Sequence, residues 1–335
     1  MALVINYDSD ILLGTVKPAA PRASNSAGFC LFSPIFLFAD PIFRTTMSVP
    51  SSLPSSVSFL VRHEFLIRRL HSLSGLVPIG AYMCVHLLTN ASLLNGPGRF
   101  QANVNLIHNL GPALPLVEWL FIFIPLIFHA VAGVWIATSG HSNTQQYPFT
   151  ANRRYSWQRL TGYLAFVFIF THVFHLHGWF HAEWWLKSVA EPLGMARFRP
   201  YNAASTLASA LSGTAWPIFY AAGVLACCYH LANGVWTAGI TWGAWISPAA
   251  QRRATVACSV FGVLLSFVGL SSLWAAKTTD IEKAIQIEDA TYRMRLESGE
   301  INDEPHKRSG AHPHSETAPE VGHRNAQNND PIVPE

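Results

Sequence analysis

The sequence predicts an all-α integral membrane protein, a bundle of five transmembrane helices. Three observations carry this expectation. Half of the 335 residues are hydrophobic and only 12% are charged; a soluble domain usually carries about 25% charged residues. Between residues 72 and 276 the charges are scarce and fall almost entirely between apolar runs. Those runs are long and continuous, as a lipid-spanning helix requires, whereas a barrel strand would alternate polar and apolar residues.

Five stretches approach the roughly 20 residues that cross a bilayer: Ser72–Leu94, Leu116–Thr138, Trp157–Trp179, Ala215–Gly239 and Ala254–Ala275. Turn-forming residues separate them, Asn95-Gly96-Pro97-Gly98 after the first and Ser247-Pro248 before the fifth. Residues 61–276 therefore form the membrane domain. Residues 1–60 are rich in Ser, Pro and Ala, with one apolar patch, Gly28–Phe43, broken by Pro34, Asp40 and Pro41. Three readings stand for this extension: a signal-peptide core, a disordered segment, or an upstream start with Met47 as the actual first residue. The patch has poor flanks for a signal peptide, and the charge pattern argues against export of this end. Residues 277–335 are polar and read as a mostly disordered tail. Ile281, Ala284, Ile285 and Ala290 give weak helical spacing over 280–297.

Orientation follows from where the arginines lie. Arg62, Arg68 and Arg69 precede the first span; Arg153, Arg154 and Arg159 lie between the second and third or just inside the third; Arg252 and Arg253 precede the fifth. These segments are expected on the cytoplasmic side, which puts the N-terminus inside and the C-terminus outside a multi-pass cytoplasmic-membrane protein. The opposite loops hold Arg99 alone, and Lys187, Arg197 and Arg199 diluted by Glu183 and Glu191. A net charge of +3 without a basic stripe offers nothing to nucleic acid. The five cysteines form no CxxC pair, so neither a zinc site nor a disulfide framework is indicated.

Four histidines lie deep in the apolar runs, one on each of four helices: His86, His129, His172 and His230. An ionisable side chain in lipid is a functional-site hypothesis by default. With a rise of about 1.5 Å per residue, His86 and His172 lie about 21 and 22 Å from the cytoplasmic ends of their helices. His129 and His230 lie about 20 and 22 Å from the opposite ends by the same rise. The four thus sort into two pairs at two depths, His129 with His230 on the inner side and His86 with His172 on the outer. Two imidazoles facing each other at one depth are what a b-type haem needs, so the chain is expected to bind two. Zinc gathers four ligands around one centre and fits this pattern badly. A proton-coupled transporter would pair its histidines with acids, and the spans hold Glu118 alone, near an end. His175 shares a helix face with His172; the deeper His172 is preferred as ligand. Gly133 and Gly234 each follow a histidine by four residues. They either leave room for a flat macrocycle or allow close helix packing.

The segments FLIRRLHSLSGLVPIG and VHLLTN (within Phe65 to Asn90), IPLIFHAVAG (Ile124 to Gly133), WQRLTG (Trp157 to Gly162), THVF (Thr171 to Phe174) and YHLANGVW with TWG (Tyr229 to Gly243) resemble the diheme cytochrome b anchor of succinate dehydrogenases and fumarate reductases. The resemblance covers about residues 60–275. It implies a five-helix anchor in membrane lipid, bound to a flavoprotein and an iron–sulfur subunit. Electrons from succinate would pass through an inner haem at His129 and His230 and an outer haem at His86 and His172 to a quinone, with menaquinone the first expectation. Succinate oxidation itself would reside in the partner subunits. Arg68, Arg69 and Arg159 are candidates for the haem propionates or for docking the iron–sulfur subunit, because Arg grips carboxylates bidentately. Some fumarate-reducing relatives have a glutamate two residues before the histidine matching His230; here that position is Cys228. Two other readings remain at this point: an anchor for a different quinone-linked dehydrogenase or hydrogenase, and a haem-free transporter or scaffold.

Overall fold

A computed structural model describes residues 62–140, 145–180, 182–304 and 307–309. The expectations for residues 1–60 and for the tail beyond residue 309 lie outside the described residues, as does His181. Among the described residues the regular structure is entirely helical. Five helices are long and apolar enough to cross a membrane: α1 (Glu64–Asn95), α3 (Gly111–Ser139), α4 (Thr150–Leu176), α6 (Ala215–Thr241) and α7 (Pro248–Thr278). Three further helices are α2 (Pro97–His108), α5 (Ala203–Ala210) and α8 (Ile281–Glu297). The end of the bundle where α1 begins is called the near end, and the opposite one the far end.

The helices overrun the apolar runs because their polar first turns continue the same hydrogen-bond ladder: Arg68 and Arg69 are helical in α1, Arg153 and Arg154 in α4, and Arg252 and Arg253 in α7. The third span is the exception at its far end. It stops at Leu176, three residues short of the expected Trp179. Gly178 and Trp179 turn into the left-handed region (φ 81° and 67°), which ends the helix. The Trp179 ring then folds back over Phe174, and its indole N–H donates to Phe170 O at 3.1 Å. Two spans contain a π-helical turn, Gly75–Gly80 in α1 and Trp119–Phe123 in α3. The first surrounds Pro78, whose missing N–H a wider turn accommodates.

Helix α6 is the centre of the bundle, packed between α4 and α7, while α1 lies against α7 and α3. Small residues let the backbones approach, as where Gly262 of α7 meets Ala232 and Cys228 of α6. At the near end Arg154 ties three helices: it donates to Asn233 of α6 (3.0 Å) and Thr255 of α7 (3.1 Å) and lies 3.9 Å over the Trp236 ring. The outer surface is bare hydrocarbon; Phe267 is 71% and Val263 69% exposed. A soluble monomer rarely shows so continuous an apolar face, whereas lipid covers it without cost.

At the far end α2, α5 and α8 form a cap. The weak helical spacing over 280–297 corresponds to α8, whose N-terminus Asp280 caps by accepting from Lys283 N–H at 3.1 Å. Its Glu288 is fully buried and accepts from Ala204 N–H (2.6 Å), Ser205 N–H (3.1 Å) and Ser205 Oγ (2.5 Å), so one helix caps the start of another. Burial pushes the Glu288 carboxyl above its usual range, against the pull of its donors Ser205, Ala204 and Asn202. Gln101 of α2 joins the same junction, donating to Pro200 O (2.7 Å) and accepting from Ala203 N–H (3.0 Å).

Candidate functional site: two facing histidine pairs

The four deep histidines meet across the bundle in two pairs. His129 of α3 faces His230 of α6, with ring centroids 6.2 Å apart and ring planes at 85°. His86 of α1 faces His172 of α4 at 5.9 Å and 81°. Two imidazoles that bind one metal from opposite sides, with metal–nitrogen bonds of about 2 Å, have centres about 6 Å apart. Both separations match that spacing.

The near pair is held by matching contacts. His129 Nδ1 lies 3.0 Å from His71 O, and His230 Nδ1 lies 3.1 Å from Gln158 O. A carbonyl can only accept, so each Nδ1 carries the proton and each Nε2 keeps its lone pair for a ligand. Gln158 Nε2 also donates to His230 O at 3.1 Å, and Asn233 Nδ2 donates to Gln158 Oε1 at 2.8 Å. The ring faces are fitted by glycines of the neighbouring helix. A Cβ on Gly75 would overlap the His129 ring, and one on Gly162 would stand 3.0 Å from His230 Cε1. Gly133 and Gly234 lie beside side chains: a Cβ would be 3.4 Å from His71 Nε2 at the first and 3.5 Å from Gln158 Nε2 at the second.

At the far pair, the Tyr82 ring lies 5.5 Å from His86 at 31°, and the Phe168 ring lies 5.6 Å from His172 at 30°. Asn90 Nδ2 donates to His86 O at 2.8 Å. One ring nitrogen of His172, Nδ1, is buried without a hydrogen-bond partner. Such a group in a folded protein calls for an occupant, and a metal bond is one that satisfies it. His175 is differently placed. It is 1% exposed, its Nδ1 meets Tyr220 OH at 2.9 Å, and its ring stacks on Trp216 at 3.7 Å and 8°. Among the described residues no three His, Cys, Asp or Glu side chains converge as a cage for a metal ion.

The three arginines named from the sequence lie at the near end. Arg68 pairs with Glu64 (2.7 Å), and Arg69 lies over the rings of Phe65 (4.9 Å) and Trp242 (4.8 Å). Arg159 donates to Ala137 O and, at 2.9 Å, to Gly140 O, neutralising the C-terminal end of α3.

His71, Gly75, Gln158 and Gly162 have roles at this site that inspection of single residues does not reveal. A repeat in the sequence does reveal them. HSLSG (71–75) matches QRLTG (158–162), and FHAVAGVW (128–135) matches YHLANGVW (229–236). His86 and His172 follow their repeat starts by fifteen and fourteen residues. The α1–α3 hairpin and the α4–α6 hairpin are therefore two copies of one unit, related by an axis along the bundle. Equivalent histidines face each other across that axis, which is why they pair at equal depth.

No family model matches the chain. It is 34% identical over 213 residues to the succinate dehydrogenase cytochrome b558 subunit of Bacillus subtilis (strain 168), a match spanning 63% of this chain and 96% of that protein.

Proposed function

Because the chain belongs to the succinate dehydrogenase cytochrome b subunits, the membrane anchors of succinate:quinone oxidoreductase, we propose that it binds two b haems and passes electrons through them between an iron–sulfur subunit and a membrane quinone. One observation carries this reading: two histidine pairs, each about one bis-imidazole metal apart, on four different helices. The residues suit the group. The near pair presents two Nε2 lone pairs with the opposite nitrogens anchored on carbonyls, and the far pair includes a buried nitrogen in need of a partner. Of the two candidates on α4, His172 is our ligand, since His175 is taken up by Tyr220 and Trp216.

Haem supplies a one-electron iron couple within the membrane. The chain's residues do the rest. His71 O and Gln158 O fix the orientation of the near imidazoles. Gly75 and Gly162 let neighbouring helices approach them, and the surrounding apolar side chains keep water away. Gly75 abuts His129, and His86 lies eleven residues further along α1, so the two centres stand about 16 Å apart along the bundle. Such a span is short enough for electrons to hop.

The arginines of the near end put it on the cytoplasmic side in our reading, where a flavoprotein and an iron–sulfur subunit would dock. Arg68, Arg69 and Arg159 are read as partners for haem propionates or for that subunit. The N-terminus is then cytoplasmic, the C-terminus external, and the quinone, menaquinone in our reading, is reached from the far half. The test is a reduced-minus-oxidised spectrum of the purified complex. Two b haems per chain are expected. His129→Ala or His230→Ala should remove one haem, and His86→Ala or His172→Ala the other; full retention in all four variants would sink the ligand assignment.

A further inference from the structure

The two-fold repeat can be used as an internal control, because a position that differs between its halves escapes the symmetry for a reason. Eleven residues before each near-pair histidine stand Glu118 in α3 and Phe219 in α6; four residues before each far-pair histidine stand Tyr82 in α1 and Phe168 in α4. In the second half the two are a packed aromatic pair, with Phe168 and Phe219 centroids 5.6 Å apart and Phe168 buried. In the first half the same two places hold a phenol and a carboxylic acid, and Tyr82 lies within electrostatic reach of Glu118. Tyr82 keeps its partner's stance toward the adjacent histidine, 5.5 Å against 5.6 Å. The polar pair is therefore a substitution on a conserved geometry within one chain, at a depth where burying a carboxyl is costly.

The surroundings say what it serves. Along the near half α1 and α3 pack together, but beyond the facing π-turns α1 turns its contacts toward α7. The π-turn Trp119–Phe123 begins directly after Glu118, and such turns are frequent at functional sites. On this side Tyr82 is 41% and Trp119 45% exposed, so the pair is open sideways to lipid. The second-half aromatic pair sits instead in the core beside the cap.

We propose that Tyr82 and Glu118 form the seat of the quinone head group, entered laterally from the bilayer between α1 and α3. This rests on the reading of the chain as an electron carrier to a quinone. A quinone is a flat apolar ring with two carbonyl oxygens that accept hydrogen bonds. Tyr82 OH is a donor. Glu118 is one as well when it is the uncharged acid, the form that hydrocarbon tolerates far better than the carboxylate. Trp119 offers an aromatic wall, and the Tyr82 ring places the seat against His86. The seat is thus on one side of the far pair, the side of the first repeat.

The intact purified complex tests this in two ways. A photoreactive azidonaphthoquinone should label peptides containing residues 81–88 and 114–123; labels confined to α4, α6 or the far-end cap would overturn the assignment. Tyr82→Phe together with Glu118→Phe copies the apolar pair that the fold already accommodates. That variant should still show both haems reduced by succinate, but its kcat/KM for a soluble naphthoquinone should drop by about tenfold for each hydrogen bond lost. Unchanged quinone reduction in the double variant would overturn the proposal. If succinate reduces both haems of the unmodified complex but no quinone is reduced, the broader reading of the chain fails instead. Should the double variant lose its haems, the labelling of the unmodified complex and the single Tyr82→Phe variant still decide.

Discussion

Replacing Gly75 by alanine places one methyl group where the near imidazole now lies. An ideal Cβ there would be 2.7 Å from His129 Nδ1 and nearer still to the ring carbon beside it, whereas ordinary contact begins at 3.4 Å. The ring must therefore retreat by roughly 0.7 Å or more from Nδ1 alone. It cannot do so freely, because His129 Nδ1 is bonded to His71 O on the same helix that carries the new methyl. Ligand distances in a metal site tolerate only about 0.2 Å, so binding at this centre fails even where the fold survives. Fold stability should change little. Overpacking costs about 1–3 kcal/mol, and alanine in place of glycine returns roughly 1 kcal/mol of helix propensity. Gly162→Ala is the graded control, since its Cβ would be 3.0 Å from His230 Cε1 and a shift of a few tenths relieves it. The assay is haem per chain by pyridine haemochrome, with the reduced spectrum resolving the two centres. We expect Gly75→Ala to fall from two haems to one, the near one missing, and Gly162→Ala to keep both with an altered near-centre spectrum. Two haems with an unchanged spectrum in Gly75→Ala would refute the steric reasoning.

Other outcomes follow from the same contacts. His175→Phe should keep both haems while lowering the thermal midpoint of the complex, because Tyr220 OH loses its partner at about 1–3 kcal/mol; loss of the far haem in this variant would make His175 the ligand. Glu288→Ala strips Ala204 N–H, Ser205 N–H and Ser205 Oγ of their acceptor. It should cost about 3 kcal/mol or more locally and open α8 to trypsin at Lys283 and Arg293, with both haem spectra intact. Arg154→Ala cuts the tie among α4, α6 and α7 and should lower the thermal midpoint by an amount set by about 2 kcal/mol. Arg154→Lys should recover little, since one ammonium cannot span both oxygens and the ring.

Most of the fold was legible before any coordinates, because the bilayer reduces spanning structure to length and polarity. The helix ends were less so: α4 stops early since Gly178 and Trp179 leave the helical region, a choice settled by the packing of Trp179 on Phe174. The two histidine pairs were readable from depth alone. The repeat that explains them was equally present in FHAVAGVW and YHLANGVW, yet it gains meaning only when equivalent residues are seen to face each other.

What the sequence by itself determined is therefore one-dimensional: how many times the chain crosses lipid, which histidines share a depth, and which family the spacing belongs to. Depth along a helix is proportional to residue number, so these needed no partner helix. What only the tertiary structure decided is lateral. It separated His172 from His175, which share one helix face but meet His86 in the first case and Tyr220 with Trp216 in the second. It matched Gly75 to His129 and Gly162 to His230 across helices. It also turned Glu118 from an acid near the end of a span into the neighbour of Tyr82. Those contacts depend on how helices rotate about their own axes as they pack, a freedom that composition and periodicity leave open.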